Sequence, residues 1–126
     1  IRGIVMSSTE PRSGIKYGWS PTTENFSAEM DANLLMLGRL AMPNLYIKDR
    51  TLTAPPGSPA AGDAYIPAAT ATGAWAGKEN QIAIWSGSAW VFYPAATGWL
   101  AVATAEGTNG KLIVKVSGGW SAGISL

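Results

Sequence analysis

The stretch "QIAIWSGSAWVFYP" constrains this chain more than any other. Read as two strands around a Ser86-Gly87-Ser88 turn, it puts Ala83 and Trp85 on one face and Ile82 and Ile84 on the other. Across the turn, Trp90 and Phe92 oppose Val91 and Tyr93 in the same way. A strand that is apolar on both faces needs cover on both sides, which one thin sheet does not supply. A second sheet, a helix or a neighbouring subunit does. Trp75, Trp85, Trp90, Trp99 and Trp120, five of the six tryptophans, all lie in this C-terminal part. Each buries about 150–250 Å², so a few of them anchor a small β core.

The flanking sequence continues the pattern. "AYIPAA", "GWLAVAT" and "KLIVKV" are short, rich in β-branched or aromatic residues, and bounded by turn formers. Asn109-Gly110 predicts a hairpin between the last two, and Ser117-Gly118-Gly119 predicts a further turn. Upstream, "TAPPGSPAAGD" is a Pro/Gly turn cluster. The segment "SAEMDANLLMLGRLAMP" predicts the one helix. Ser27 suits its N-cap, Glu29 and Asp31 its positive end, Arg39 its last turn, and Pro43 its stop. Met30, Leu34, Leu37 and Ala41 form one stripe that Leu40 widens, while Leu35 and Met36 point elsewhere. That helix is apolar on more than one side, so its second face meets either its own core or another chain. Residues 1–26 show no sustained periodicity and read as an extended N-terminal arm. The expectation is an α+β, mainly β chain: arm 1–26, helix 27–42, and a Trp-rich antiparallel sandwich or small barrel over 43–126.

Several chemistries are excluded or disfavoured. "GWSAG" (119–123) spells the nucleophile elbow of serine hydrolases, which needs a strand-turn-helix setting and a histidine base. The chain has no histidine, and the nearest lysine, Lys115, lies in an alternating strand pattern. Ser121 therefore reads as a strand residue of a hairpin whose "IVKVSGGWSAGI" mirrors "IAIWSGSAWVF". "TGAWAGKEN" imitates a phosphate loop, but Gly73 and Gly77 stand one residue too close and Glu79 replaces the required hydroxyl. Asp63, Glu79 and Glu106 offer carboxylates, yet each sits in a turn where an exposed acid is the ordinary expectation. Without cysteine or histidine, no thiolate or imidazole site for a metal exists, and no cofactor is expected. The net charge of +1 lacks the basic footprint of a nucleic-acid binder. No apolar run reaches the length of a membrane span.

Residues 28–122 resemble a phage-associated domain family of unknown function, found in tailed-phage, prophage and gene-transfer-agent proteins. The resemblance rests on an N-x-x-L-x-x-L helix pattern, met by Asn33, Met36 and Arg39-Leu40, followed by "RTLTAPPGSPAAGDAYI", "ATGAWAG" and "IAIWSGSAWVFYPAATGWLAV". It implies a non-enzymatic virion component, a fibre or fibre-adaptor subunit on the tail or baseplate, assembled in the bacterial cytoplasm. It implies a homo-oligomer, a trimer, in contact with other tail or capsid proteins. In that reading Met30, Leu34, Leu37 and Leu40 pack around the symmetry axis. A head or neck decoration fibre fits the same residues. A carbohydrate-binding module is the rival of a different class, with Trp75 and Trp90 as stacking platforms for host-surface glycan.

Overall fold

The computed structural model describes residues 8–11, 13–17, 26–40 and 45–126, in two compact units that divide between Asn44 and Leu45. The chain is α+β and mainly β, with one α-helix and three sheets among the described residues.

In the first unit, strands β1 (Ser8–Thr9) and β2 (Lys16–Tyr17) pair antiparallel, Ser8 with Tyr17 and Thr9 with Lys16. The expected featureless arm is thus a hairpin where it is described; residues 1–7, 12 and 18–25 of it lie outside the described residues. Its turn is held by Glu10, whose carboxylate accepts the N–H and the hydroxyl of Ser13, both at 2.6 Å. Helix α1 runs Phe26–Leu40. It starts one residue ahead of Ser27, which therefore lies inside the first turn rather than capping it. An N-cap is worth about 1 kcal/mol, which tertiary contacts override. Those contacts come from Asn33, one of the buried polar residues. Its Oδ1 accepts the Lys16 N–H at 2.9 Å and its Nδ2 donates to the Lys16 carbonyl at 2.8 Å, as a neighbouring strand would. One turn on, the Met36 methyl lies 3.6 Å from where a Cβ on Gly14 would stand. The expected stop at Pro43, and Ala41, fall outside the described residues.

The second unit holds two larger sheets. Strands β3 (Tyr46–Ile47), β4 (Ala64–Tyr65), β5 (Ile82–Trp85), β6 (Trp90–Tyr93), β7 (Leu100–Ala103), β8 (Lys111–Val116), β9 (Gly119–Trp120) and β10 (Ile124–Ser125) follow in order. One sheet is β4-β5-β6; the other is β10-β8-β7-β3, with β9 also on β8. Neighbours pair antiparallel except β3 and β7, which run parallel, Tyr46 beside Val102 and Ile47 beside Ala103. The antiparallel expectation holds for every other strand pair. A parallel pair needs a long crossover, and here the whole β4-β5-β6 sheet lies within it.

Residues 46–49 belong to both sheets. After Ile47 leaves β7, the Lys48 N–H bonds the Ala64 carbonyl at 2.8 Å and Asp49 bridges Tyr65 in parallel. The sheets are therefore joined through one continuous stretch of chain. Ile82, Ile84 and Tyr93 on one sheet, and Ile47, Ala101, Ala103 and Ile113 on the other, are buried.

The last edge is an interrupted strand. β9 and β10 lie along β8 at different heights, Trp120 opposite Lys115 and Ile124 opposite Leu112. Residues 121–123 between them bulge outward. Gly123 makes the return possible: its φ is +91°, and a Cβ there would stand 3.0 Å from both Ile113 Cγ2 and Lys111 Cβ. Gly118, at the β8–β9 turn, also has a positive φ of +82° but open space around it. Gly118→Ala should therefore cost about 1 kcal/mol of backbone strain, and Gly123→Ala about 2–4 kcal/mol, strain plus overpacking. Paired denaturant titrations check the difference; equal losses would mean that β10 does not press on β8.

Candidate functional site

Three places carry functional expectations: the tryptophans, the "GWSAG" segment with the loop acids, and the helix.

The tryptophans are built inward. Register puts Tyr65 beside Ala83, Ala83 beside Phe92, and Trp85 beside Trp90 on one face of β4-β5-β6. A 3₁₀ turn, Gly73–Trp75, lays Trp75 over this face. Its loop is fixed by bonds from the Ala71 N–H to the Glu79 carboxylate (3.0 Å) and from the Thr72 N–H to the Thr53 carbonyl (2.7 Å). Trp75 has no exposed surface and packs 5.1 Å from Trp90 and 5.7 Å from Tyr65, centroid to centroid. Its indole N–H is buried without a hydrogen-bond partner. An orphan donor costs about 1–3 kcal/mol. Burying some 200 Å² of ring at about 25 cal/mol per Å² returns roughly 5 kcal/mol, so the apolar gain wins. Trp75 offers no ring face to a sugar. Trp90 is half-buried and meets half-buried Trp85 at 5.2 Å with the rings tilted 57°, so the pair is no flat platform. The Lys78 ammonium stands 5.2 Å over Phe92 and closes the margin.

The "GWSAG" serine is committed to the backbone. Ser121 Oγ accepts the Val114 N–H at 3.0 Å, and the Ser121 N–H donates to the Val114 carbonyl at 2.9 Å. The hydroxyl thus replaces a ladder carbonyl in the bulge, and no helix follows Gly123 within the described residues. Trp120 donates its indole N–H to the Asn80 carbonyl at 3.0 Å, tying the tail to the loop after Trp75.

Arg50 completes this region. Its Nε and Nη2 donate to the two carboxylate oxygens of Glu106, the latter at 2.9 Å. Nη1 and Nη2 also donate to the carbonyls of Ser121 (2.8 Å) and Ala122 (3.1 Å). One guanidinium therefore clamps the chain after β3, the β7–β8 loop and the bulge. Lys111 adds a looser contact, 3.9 Å from Glu106. Arg50 and Glu106 had no signal in the sequence beyond their charge, since 56 residues separate them.

None of the three loop acids is the exposed turn acid that its neighbours predict. Asp63 is buried, accepts the Ala60 N–H at 2.9 Å and pairs with Lys48 at 3.0 Å. Glu79 is spent on Ala71, and Glu106 on Arg50. Hydrogen bonds from Arg50 hold the Glu106 carboxyl below its usual range, against the opposing effect of burial. For Asp63, burial pushes upward, but the Ala60 N–H and Lys48 outweigh it and the net shift is downward. The cavity beside the clasp, between Ile47, Arg50, Ala103 and Glu106, is about 130 Å³, below the roughly 300–1,000 Å³ of small-molecule sites. Among the described residues, no cluster of three or more acids could hold a metal ion, and no helix is long and apolar enough to cross a membrane.

On the helix, the four expected contact residues separate. Leu34 and Leu37 are exposed, at 59% and 47%, and Met30 and Leu40 are half-buried. By helical spacing Met30, Leu34 and Leu37 share a stripe, whereas Leu40 lies on the Asn33–Met36 side that holds the hairpin. Leu35, 52% exposed, faces away from both.

A family model for proteins of unknown function, DUF2793, matches residues 30–121. The chain belongs to this family. The match takes in most of the helix, the tryptophan cluster and both ends of the Arg50–Glu106 pair. No curated protein and no solved structure matches the chain.

Both depressed carboxyls contribute stability that is complete above their unfolded values, near 4, and lost as pH falls through the lower folded ones. The expected stability profile is flat from pH 7 to about 5 and declines below it. Glu106→Gln should flatten part of that decline; an acid limb identical to wild type would exclude the clasp as its source. Trp75→Ala should lower the unfolding free energy by about 3–5 kcal/mol, and a loss under about 1 kcal/mol in a denaturant titration would contradict the packing described.

Proposed function

We propose that this protein is a non-enzymatic structural subunit of a tailed-bacteriophage particle, a fibre or fibre-adaptor component that acts as a homotrimer. The observation that carries the reading is the helix, which spends Asn33 and Met36 on its own hairpin and leaves Leu34, Leu35 and Leu37 exposed. Burying one leucine is worth about 1.5–3 kcal/mol. Leu34 and Leu37, which share one stripe, favour a neighbour, and a closed ring of identical copies provides one. The ordered set of Trp-Gly segments that resembles phage-associated domains supports the location. The interior supports the absence of chemistry, because Ser121, Asp63, Glu79 and Glu106 are each engaged in holding the fold. The glycan-binding reading retains only the tilted Trp85–Trp90 pair and is not favoured.

Particles purified from the bacterial strain that encodes the chain test the reading. Mass spectrometry should find the protein as a stoichiometric component, in a copy number divisible by three. Leu37→Asp, at an exposed position, should keep its circular dichroism spectrum and be lost from the particles. Particles devoid of the wild-type protein would overturn the proposal.

A further inference from the structure

Among the described residues, only two besides glycine have a left-handed backbone: Thr70, at a φ of +61°, and Asn80, at +64°. They stand at the two ends of the loop that carries Trp75. Asparagine tolerates this conformation, but a β-branched threonine adopts it rarely, because its Cβ crowds the following carbonyl. Of residues 70–80 only Trp75 is buried, and its indole N–H has no partner there. The loop is thus strained at its ends and anchored in the core by one ring that has given up its hydrogen bond to water. Within the loop the backbone is bonded to itself: Trp75 N–H to the Thr72 carbonyl, Ala76 to Gly73 and Lys78 to Trp75. The ties to the rest of the unit lie toward the ends. Thr72 N–H donates to the Thr53 carbonyl at 2.7 Å, Asn80 N–H to the Pro67 carbonyl at 3.1 Å, and the Trp120 indole N–H to the Asn80 carbonyl at 3.0 Å.

We propose that residues 70–80 are a strap that opens as one body and lifts Trp75 off Tyr65 and Trp90, with the Trp120–Asn80 bond as its latch. The inference is independent of the oligomeric reading above. Opening relieves both left-handed residues and returns the indole N–H to water, whereas closing regains the buried ring area. These opposed effects keep the closed form favoured and place its opening well below the unfolding of the sheet beneath it. The latch follows from where β9 lies. A Cβ on Gly119 would stand 3.7 Å from Asn80 Oδ1, so the tail rests against the strained residue itself. β9 is held there by its pairing with β8 and by the Arg50 bond to the Ser121 carbonyl. Whatever displaces β9 from β8 takes the donor away from Asn80, so the burial of Trp75 answers to the position of the tail.

Amide hydrogen exchange on the full chain, resolved residue by residue, tests this. The bonded amides of Thr72, Trp75, Ala76, Lys78 and Asn80 should exchange with one common protection, well below that of β5 and β6. Trp120→Phe keeps an aromatic ring and removes the donor; it should speed those amides about five- to tenfold, the worth of one hydrogen bond, and leave β5 and β6 unchanged. Thr70→Gly, at an exposed position, should slow the same amides a few-fold, because glycine takes the left-handed conformation without the clash. Loop amides that exchange only together with β5 and β6, or each at its own rate, would overturn the strap. Trp120→Phe with unchanged loop exchange, or with β5 and β6 accelerated equally, would overturn the latch. Thr70→Gly without slowing would overturn the role of backbone strain.

Discussion

The second unit depends on where Arg50 puts its guanidinium. Its N–H groups make four hydrogen bonds to two separate stretches of chain: both oxygens of Glu106 in the β7–β8 loop, and the carbonyls of Ser121 and Ala122 in the bulge of the last edge. Each of those carbonyls lies where the β8 ladder is interrupted. A planar fork that is always charged fits this task, which a lysine could not perform. With side chains only 17% and 23% exposed, the pair is partly desolvated, so removing either member would leave the other charge stranded. Arg50 also follows the segment shared by the two sheets. The same few residues thus join the sheets by backbone and fasten the tail by side chain.

Around that clasp, polar chemistry is turned inward. Asn33 closes the edge of a two-residue strand, Ser121 stands in for a ladder carbonyl, and Asp63 organises the turn before β4. Ser121, Asp63, Glu79 and Glu106 are each occupied as framework. Among the large apolar side chains left exposed are Leu34, Leu35 and Leu37 of the helix.

How much of this was legible in the sequence depended on distance along the chain. β5, β6, β7 and β8 and their hairpins follow from alternation and from Ser-Gly and Asn-Gly turns, because every determinant lies within a few residues. The two-sided apolar pattern of "IAIW" and "WVFY" correctly demanded cover on both faces. β3 has no signal in the sequence because two residues carry no period, and its parallel partner lies more than 50 residues away. Glu106 and Asp63 read as exposed turn acids because their partners, Arg50 and Lys48, are brought in only by the fold. The β1–β2 hairpin is illegible for a similar reason, since a helix side chain completes its bonding. In the helix, the pattern showed two apolar sides but not which one the hairpin would take; Asn33, polar and buried, decided it. Trp75 shows the limit of composition: a tryptophan in a glycine-rich loop looks like a displayed ring, and only the placement of that loop over Tyr65 and Ala83 buries it.

The central claim is that this chain completes itself by meeting copies of itself. Its native mass in solution tests that most directly, measured by light scattering across a range of protein concentrations. The account predicts a trimer of the 13.1 kDa chain, persisting on dilution to the micromolar range. A monomer at every concentration would contradict it.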